Sequence, residues 1–315
     1  MFWSFFEQAN LSVPRGMVLS MVNIRSPFKS DHGLEKLRQV HSDAGNILGS
    51  GNELKTIFGS YLKWVNESTR ILKPLLSSID MDRLVTTKNY WVLRAGGPDS
   101  HELMRFLSSE ILERIQILEQ EIKKLQNLHD SWRWENGYYI AIVADTNFLL
   151  DYHGSLATID WHKKLKLEGN SPIVICIPMI VVDELDGLKL SNKNEHNKEP
   201  LRNRARKAIR MLEKTLDKPG ERTKLPGEPI QGVENSEVYL TIFNDGPDHI
   251  PLMPKDAEIR DRAGSLKPFT SNVFVATIDT GMMFKCRSDD ISVCKFEDIL
   301  TPAKNSSGSA RSTDG

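Results

Sequence analysis

Apolar residues recur at helical spacing from about Gly33 to residue 135 and in short continuous runs after them, and this change of period divides the chain. Leu34, Leu37, Val40, Ala44 and Ile47 predict a helix that starts near Gly33 and ends at Gly49-Ser-Gly51. Leu54, Phe58, Tyr61, Leu62 and Val65 predict a second, running toward Leu76 and bent or ended by Pro74. Val85 to Leu93, with Tyr90 and Trp91, reads as a short strand or an irregular packing segment. After a break at Gly96-Gly-Pro-Asp-Ser100, Ile111, Ile115, Leu118, Ile122 and Leu125 step by four and three, a heptad spacing. Glu113, Arg114, Glu119, Glu121, Lys123 and Lys124 between them predict a solvated face. Such a helix makes either a homodimer seam through residues 103–128 or an amphipathic face packed on its own domain. Barely two heptads favour the second. Residues 1–30, punctuated by Pro14, Gly16 and Pro27, predict no definite element.

From Gly137 strands and helices alternate. Ile140–Ala144, Ile173–Ile177, Val273–Thr277 and Ile291–Lys295 are short runs rich in β-branched residues, as in strands buried on both faces. Glu237–Phe243 predicts a further strand at the sheet edge. Helices are expected over Phe148–Leu167, from Met179, over Leu201–Leu216 and over Asp256–Leu266. Residues 190–200 are polar and expected to be mobile, Pro219–Pro229 is expected to be loop, and 301–315 a disordered tail. The fold class that follows is α/β: a parallel twisted sheet flanked by helices, preceded by a mainly α-helical N-terminal domain. The expected domains are 1–135 and 138–300.

Composition narrows the function classes. With 39% hydrophobic and 26% charged residues and a net charge of −1, the chain is an ordinary globular protein and not a uniformly basic coat for nucleic acid. No apolar run approaches the roughly 18 residues of a membrane span. The greasy opening Met1-Phe-Trp-Ser-Phe-Phe lacks a basic lead and is interrupted by Glu7, so no secretory signal is expected. Cys176, Cys286 and Cys294 offer no zinc spacing and no disulfide framework, which fits a reducing, cytoplasmic setting. No phosphate loop or nucleophile elbow is present.

The candidate chemistry is carboxylate chemistry. Asp145 ends the first strand, Glu184 lies in the helix after the second, Asp256 opens a later helix, and Asp279 follows the Val273–Thr277 strand. Ligands of open α/β sheets sit outside the carboxyl ends of the strands, so these acids are expected to share one edge. Crowded carboxylates raise one another's pKa, a cost that a hard divalent cation removes. Oxygen-only ligands select magnesium or manganese over zinc. Such ions activate water and neutralise charge on a phosphodiester.

In order, Ala144-Asp145-Thr-Asn147, Val182-Asp183-Glu184-Leu-Asp186-Gly-Leu-Lys189, Asp256-Ala-Glu-Ile259 and Ala276-Thr277-Ile-Asp279-Thr-Gly281 resemble the acidic motifs of PIN-domain proteins. The resemblance spans about residues 138–297. It implies a parallel sheet between helices and metal-dependent endoribonuclease activity on RNA. It also implies that Asp145, Glu184, Asp256 and Asp279 hold the metal, with Asn147 and Thr277 supporting them. The third motif departs from the pattern, since Ala257 stands where a second acid is common. Glu258 and Asp261, and Asp245 and Asp248 upstream, are alternative third ligands.

Between Lys189 and Lys224 twelve Lys or Arg face five acids, a net +7. Arg202, Arg206 and Arg210 fall on one helix face, and with Lys189 they are candidate contacts for RNA phosphates. The competing reading is a solvated face with local ion pairs. Single-stranded RNA is the expected substrate, because in-line attack needs an accessible backbone. Rival readings are a non-catalytic RNA-binding or scaffold protein, the toxin of a toxin–antitoxin pair, and a phosphatase. The phosphatase ranks last, because Asn147 stands where its second Asp belongs.

Overall fold

The computed structural model describes residues 22–51, 53–96, 101–135, 137–191, 199–218, 220–226, 237–244 and 249–297. The opening segment through Met21, most of the polar 190–200 stretch, Asp245 and Asp248, and the 301–315 tail lie outside the described residues. Helices α1 (Ser30–Gly45), α2 (Leu54–Leu72), α3 (Ser78–Leu84), α4 (Lys88–Gly96) and α5 (His101–Ser131) build the N-terminal half.

Two expectations for this half need correction. Val85–Leu93 is neither strand nor irregular beyond its first turn. The Thr87 hydroxyl accepts from the Tyr90 amide at 3.1 Å, starting α4, and Tyr90 and Leu93, three apart, both go inward. The face of α5 is also not wholly solvated. Arg114 and Glu121 are buried, Arg114 donating to the Arg83 carbonyl at 2.6 Å and Glu121 accepting from the Val22 amide at 3.0 Å. Leu107, Ile111, Leu118 and Leu125 are buried in the common core, while Ile115 and Ile122 of the heptad seam are only half-buried. This is the internally packed reading of the helix.

A short hairpin, β1 (Arg133–Trp134) and β2 (Gly137–Tyr138), leads into the second half. There follow β3 (Ile140–Ala144), α6 (Thr146–Tyr152), α7 (Trp161–Leu165), β4 (Ile173–Pro178), α8 (Met179–Leu188) and α9 (Leu201–Thr215). Then come β5 (Thr223–Lys224), β6 (Val238–Phe243), α10 (Lys255–Leu266), β7 (Val273–Thr277), α11 (Thr280–Ser288) and β8 (Ser292–Lys295). The six strands lie in the order β5-β6-β4-β3-β7-β8. All are parallel except β5, which pairs antiparallel with β6 and takes the edge position expected of β6.

The helical stretch expected over 148–167 holds two short helices. Asp160 caps α7 by accepting from the Lys163 amide at 3.0 Å, and Lys166, in left-handed geometry, closes it. Helix α11 was not expected, because its apolar residues carry little period; Asp279 caps it.

Every residue of β3 and β4 is buried, which explains their unbroken apolar runs. From β3 the chain steps outward through β4 and β6, then returns to the other side of β3 with β7. The sheet's switch point therefore lies between β3 and β7, where Ala144 pairs with Ala276. The halves are joined by hydrogen bonds from Ser30 N to the Pro268 carbonyl at 2.9 Å and from Lys29 Nζ to the Thr270 carbonyl at 2.7 Å. The buried Arg222 guanidinium stacks 4.2 Å from the Trp132 ring and 4.9 Å from the Tyr139 ring. No described helix is long and apolar enough to cross a membrane.

Candidate active site

Asp145 follows β3 directly, and its position as N-cap of α6 fixes its carboxylate. One oxygen accepts from the Phe148 amide at 2.6 Å, and the other accepts from the Thr277 hydroxyl at the end of β7. Thr277 accepts in turn from the Asp279 amide at 3.0 Å, and Asp279 accepts from the Gly281 amide at 2.7 Å. Two adjacent strand ends are thus held together by one hydroxyl.

Burial pushes the pKa of Asp145 up to about 6. The Thr277 and Phe148 hydrogen bonds pull it down, while the carboxylates of Asp279 and Asp256 push it further up. The Cys286 thiol behind them, raised to about 11 chiefly by burial, also feels Asp145 and Asp256.

Glu184, on α8, joins the group through a neighbour: the Thr146 hydroxyl donates to it at 2.6 Å. Lys255 Nζ lies 3.5 Å from Glu184, and Lys285 Nζ lies 2.7 Å from Asp256. Thr146, Lys255 and Lys285 are the site residues that the sequence reading missed. The signal available for Thr146 was a hydroxyl in the first helical turn, and for Lys255 its place directly before Asp256. Lys285 gave none without knowledge of α11.

Of the alternative third acids, Glu258 is turned into the protein. It accepts from the Leu252 amide at 2.8 Å, from His249 at 2.6 Å and from Arg262 at 2.5 Å. Burial opposes its ionisation, but the amide, Arg262 and His249 hold its carboxyl below the usual range. Asp261 lines a different cavity, with Asn23, Ser77 and Gly264, and burial raises its carboxyl. Of the three, Asp256 is the one whose carboxylate is among the main influences on Asp145.

Asn147 is exposed on the first turn of α6. Arg202, Arg206 and Arg210 are exposed along α9 and carry no ion pair among the described residues. Lys189 pairs with Asp186. Arg204, on the inner face of α9, pairs with Asp151 and ties α9 to α6.

The donors are all carboxylate oxygens, the chemistry a hard divalent cation requires. Among the described residues, however, no three His, Cys, Asp or Glu side chains converge closely enough to form a ligand group as they stand. Glu184 and Asp256 are each paired with a lysine, Lys255 and Lys285.

The sheet, parallel but for β5, carries Asp145 and Thr277 at the strand ends beside its switch point. The family model for the PIN domain matches residues 142–297, which places the C-terminal half of the chain in that family. A search of curated proteins finds no match.

Proposed function

We propose that the protein is a magnesium- or manganese-dependent endoribonuclease acting on single-stranded RNA. The observation that carries this reading is the Asp145 carboxyl at the sheet's switch point, raised chiefly by burial and further by the carboxylates of Asp279 and Asp256. A fold does not gather like charges there without cost, and a divalent cation offsets it.

The ion would be held by Asp145, Glu184, Asp256 and Asp279. When bound it would supply water activated near neutral pH and a counter-charge for the phosphodiester. Thr277 and the Phe148 amide fix Asp145 in one orientation, and Thr146 fixes Glu184. Lys255 and Lys285 neutralise Glu184 and Asp256 in the free protein. Once released, their ammonium groups are placed to meet phosphate oxygens of the substrate. Arg202, Arg206 and Arg210 line the approach for the RNA backbone.

The lysine pairs also favour a second reading, in which the domain binds RNA without cutting it. Incubating the full chain with a labelled single-stranded RNA and manganese separates the two. Cleavage that chelator and Asp145→Asn both abolish supports the nuclease; intact RNA at every manganese concentration supports the binding protein.

A further inference from the structure

Helices α8 and α9 leave between them a cleft of about 410 Å³ at the carboxyl end of β6. That volume lies within the roughly 300–1,000 Å³ of typical small-ligand sites. Its walls are apolar: Val182 from α8, Ile209 and Leu212 from α9, and Ile242 from β6. Its mouth is not. Asp183 from α8 and Glu213 from α9 stand exposed at it, and neither has an ion-pair partner among the described residues. Asp186, also at the mouth, is already taken by Lys189.

The position of the cleft links it to the site. Val182 and Asp183 directly precede Glu184 on α8. On α9, Glu213 follows Arg206 by two helical turns, so the acidic mouth and the exposed arginines share one strip of that helix. The surface is therefore zoned as a nucleotide is: guanidinium groups for phosphates, beside an apolar slot with hydrogen-bond acceptors at its opening. Uracil would present two carbonyl acceptors and one N–H to those carboxylates. Guanine presents adjacent N1–H and N2–H donors, the pair a carboxylate accepts with both oxygens.

We infer that the cleft binds a guanine base of single-stranded RNA. Asp183 and Glu213 accept from its Watson–Crick edge while neighbouring phosphates lie along Arg202, Arg206 and Arg210. This rests on the RNA reading above and adds a base preference to it.

The test is fluorescence anisotropy on the full chain carrying Asp145→Asn, which keeps the RNA whole. The probes are labelled hexauridylate and the same oligonucleotide with one central guanine, adenine or cytosine. The guanine probe should bind about tenfold more tightly than hexauridylate. Adding Asp183→Asn and Glu213→Gln should erase that difference while leaving hexauridylate affinity unreduced. Equal, salt-dependent binding of all four probes overturns the guanine slot but not RNA binding. A guanine preference that survives the added substitutions overturns its assignment to this cleft. Binding of none of the probes overturns the RNA reading itself.

Discussion

The Thr277 hydroxyl donates to the carboxylate of Asp145, 132 residues earlier in the chain, and so locks the ends of β3 and β7 together at the point where strand order reverses. That bond and the Phe148 amide hold the buried Asp145 carboxylate in one orientation.

Stability should respond to pH through Asp145. Its carboxyl titrates at about 6 in the folded chain, against about 3.9 when unfolded. Because the raised value means the folded state holds the proton more tightly, stability falls as pH rises from about 4 through 6. Asp145→Asn, uncharged throughout, should be more stable than the parent in chelator at pH 7.5. The gain is at most about 3 kcal/mol, less the cost of the hydrogen bond the amide cannot accept. Urea denaturation at pH 4 and 7.5 measures it; a variant no more stable than the parent at pH 7.5 contradicts the assignment.

Two acids on α10 should separate cleanly. Glu258→Ala leaves Arg262 buried without its carboxylate and should cost about 3–5 kcal/mol. Asp256→Asn gives up only an exposed pair with Lys285 and should stay within about 0.5 kcal/mol of the parent. Equal losses in chemical denaturation would mean that Asp256 is a structural acid.

How much of this was legible beforehand follows from where each signal sits. Strands β3, β4 and β7 are buried on both faces, so their apolar runs announce them. Helix α4 was missed because two inward residues and one threonine cap leave too short a period to read. Burial of Arg114 and Glu121 was likewise hidden: Glu110 and Lys124 pair with them locally, but Arg83 and Val22, which tie them to other segments, are distant in sequence. At the site, strand-end acids were readable from local pattern alone. The lysines that hold two of them were not, because Lys285 meets Asp256 only after β7 and α11 fold back.

Those lysines compete with any bound cation. Lys285→Ala should tighten manganese binding up to about fivefold, the scale of an exposed ion pair, and Lys255→Ala should do the same through Glu184. Titration of each variant with manganese checks this; weaker binding in both would show that the lysines assist the ion.

The arginine face should act through charge alone. Replacing Arg202, Arg206 and Arg210 with alanine should leave the melting temperature unchanged. It should lower the slope of log affinity for single-stranded RNA against log salt by about 2. An unchanged slope would return that face to the solvent.

The most direct measurement is calorimetric titration of manganese into the full chain and into Asp145→Asn, both shown folded by circular dichroism. Saturable binding that weakens at least tenfold in the variant is the predicted result. No saturable heat in the parent, or equal affinity in the two, would contradict a cation held at the switch point.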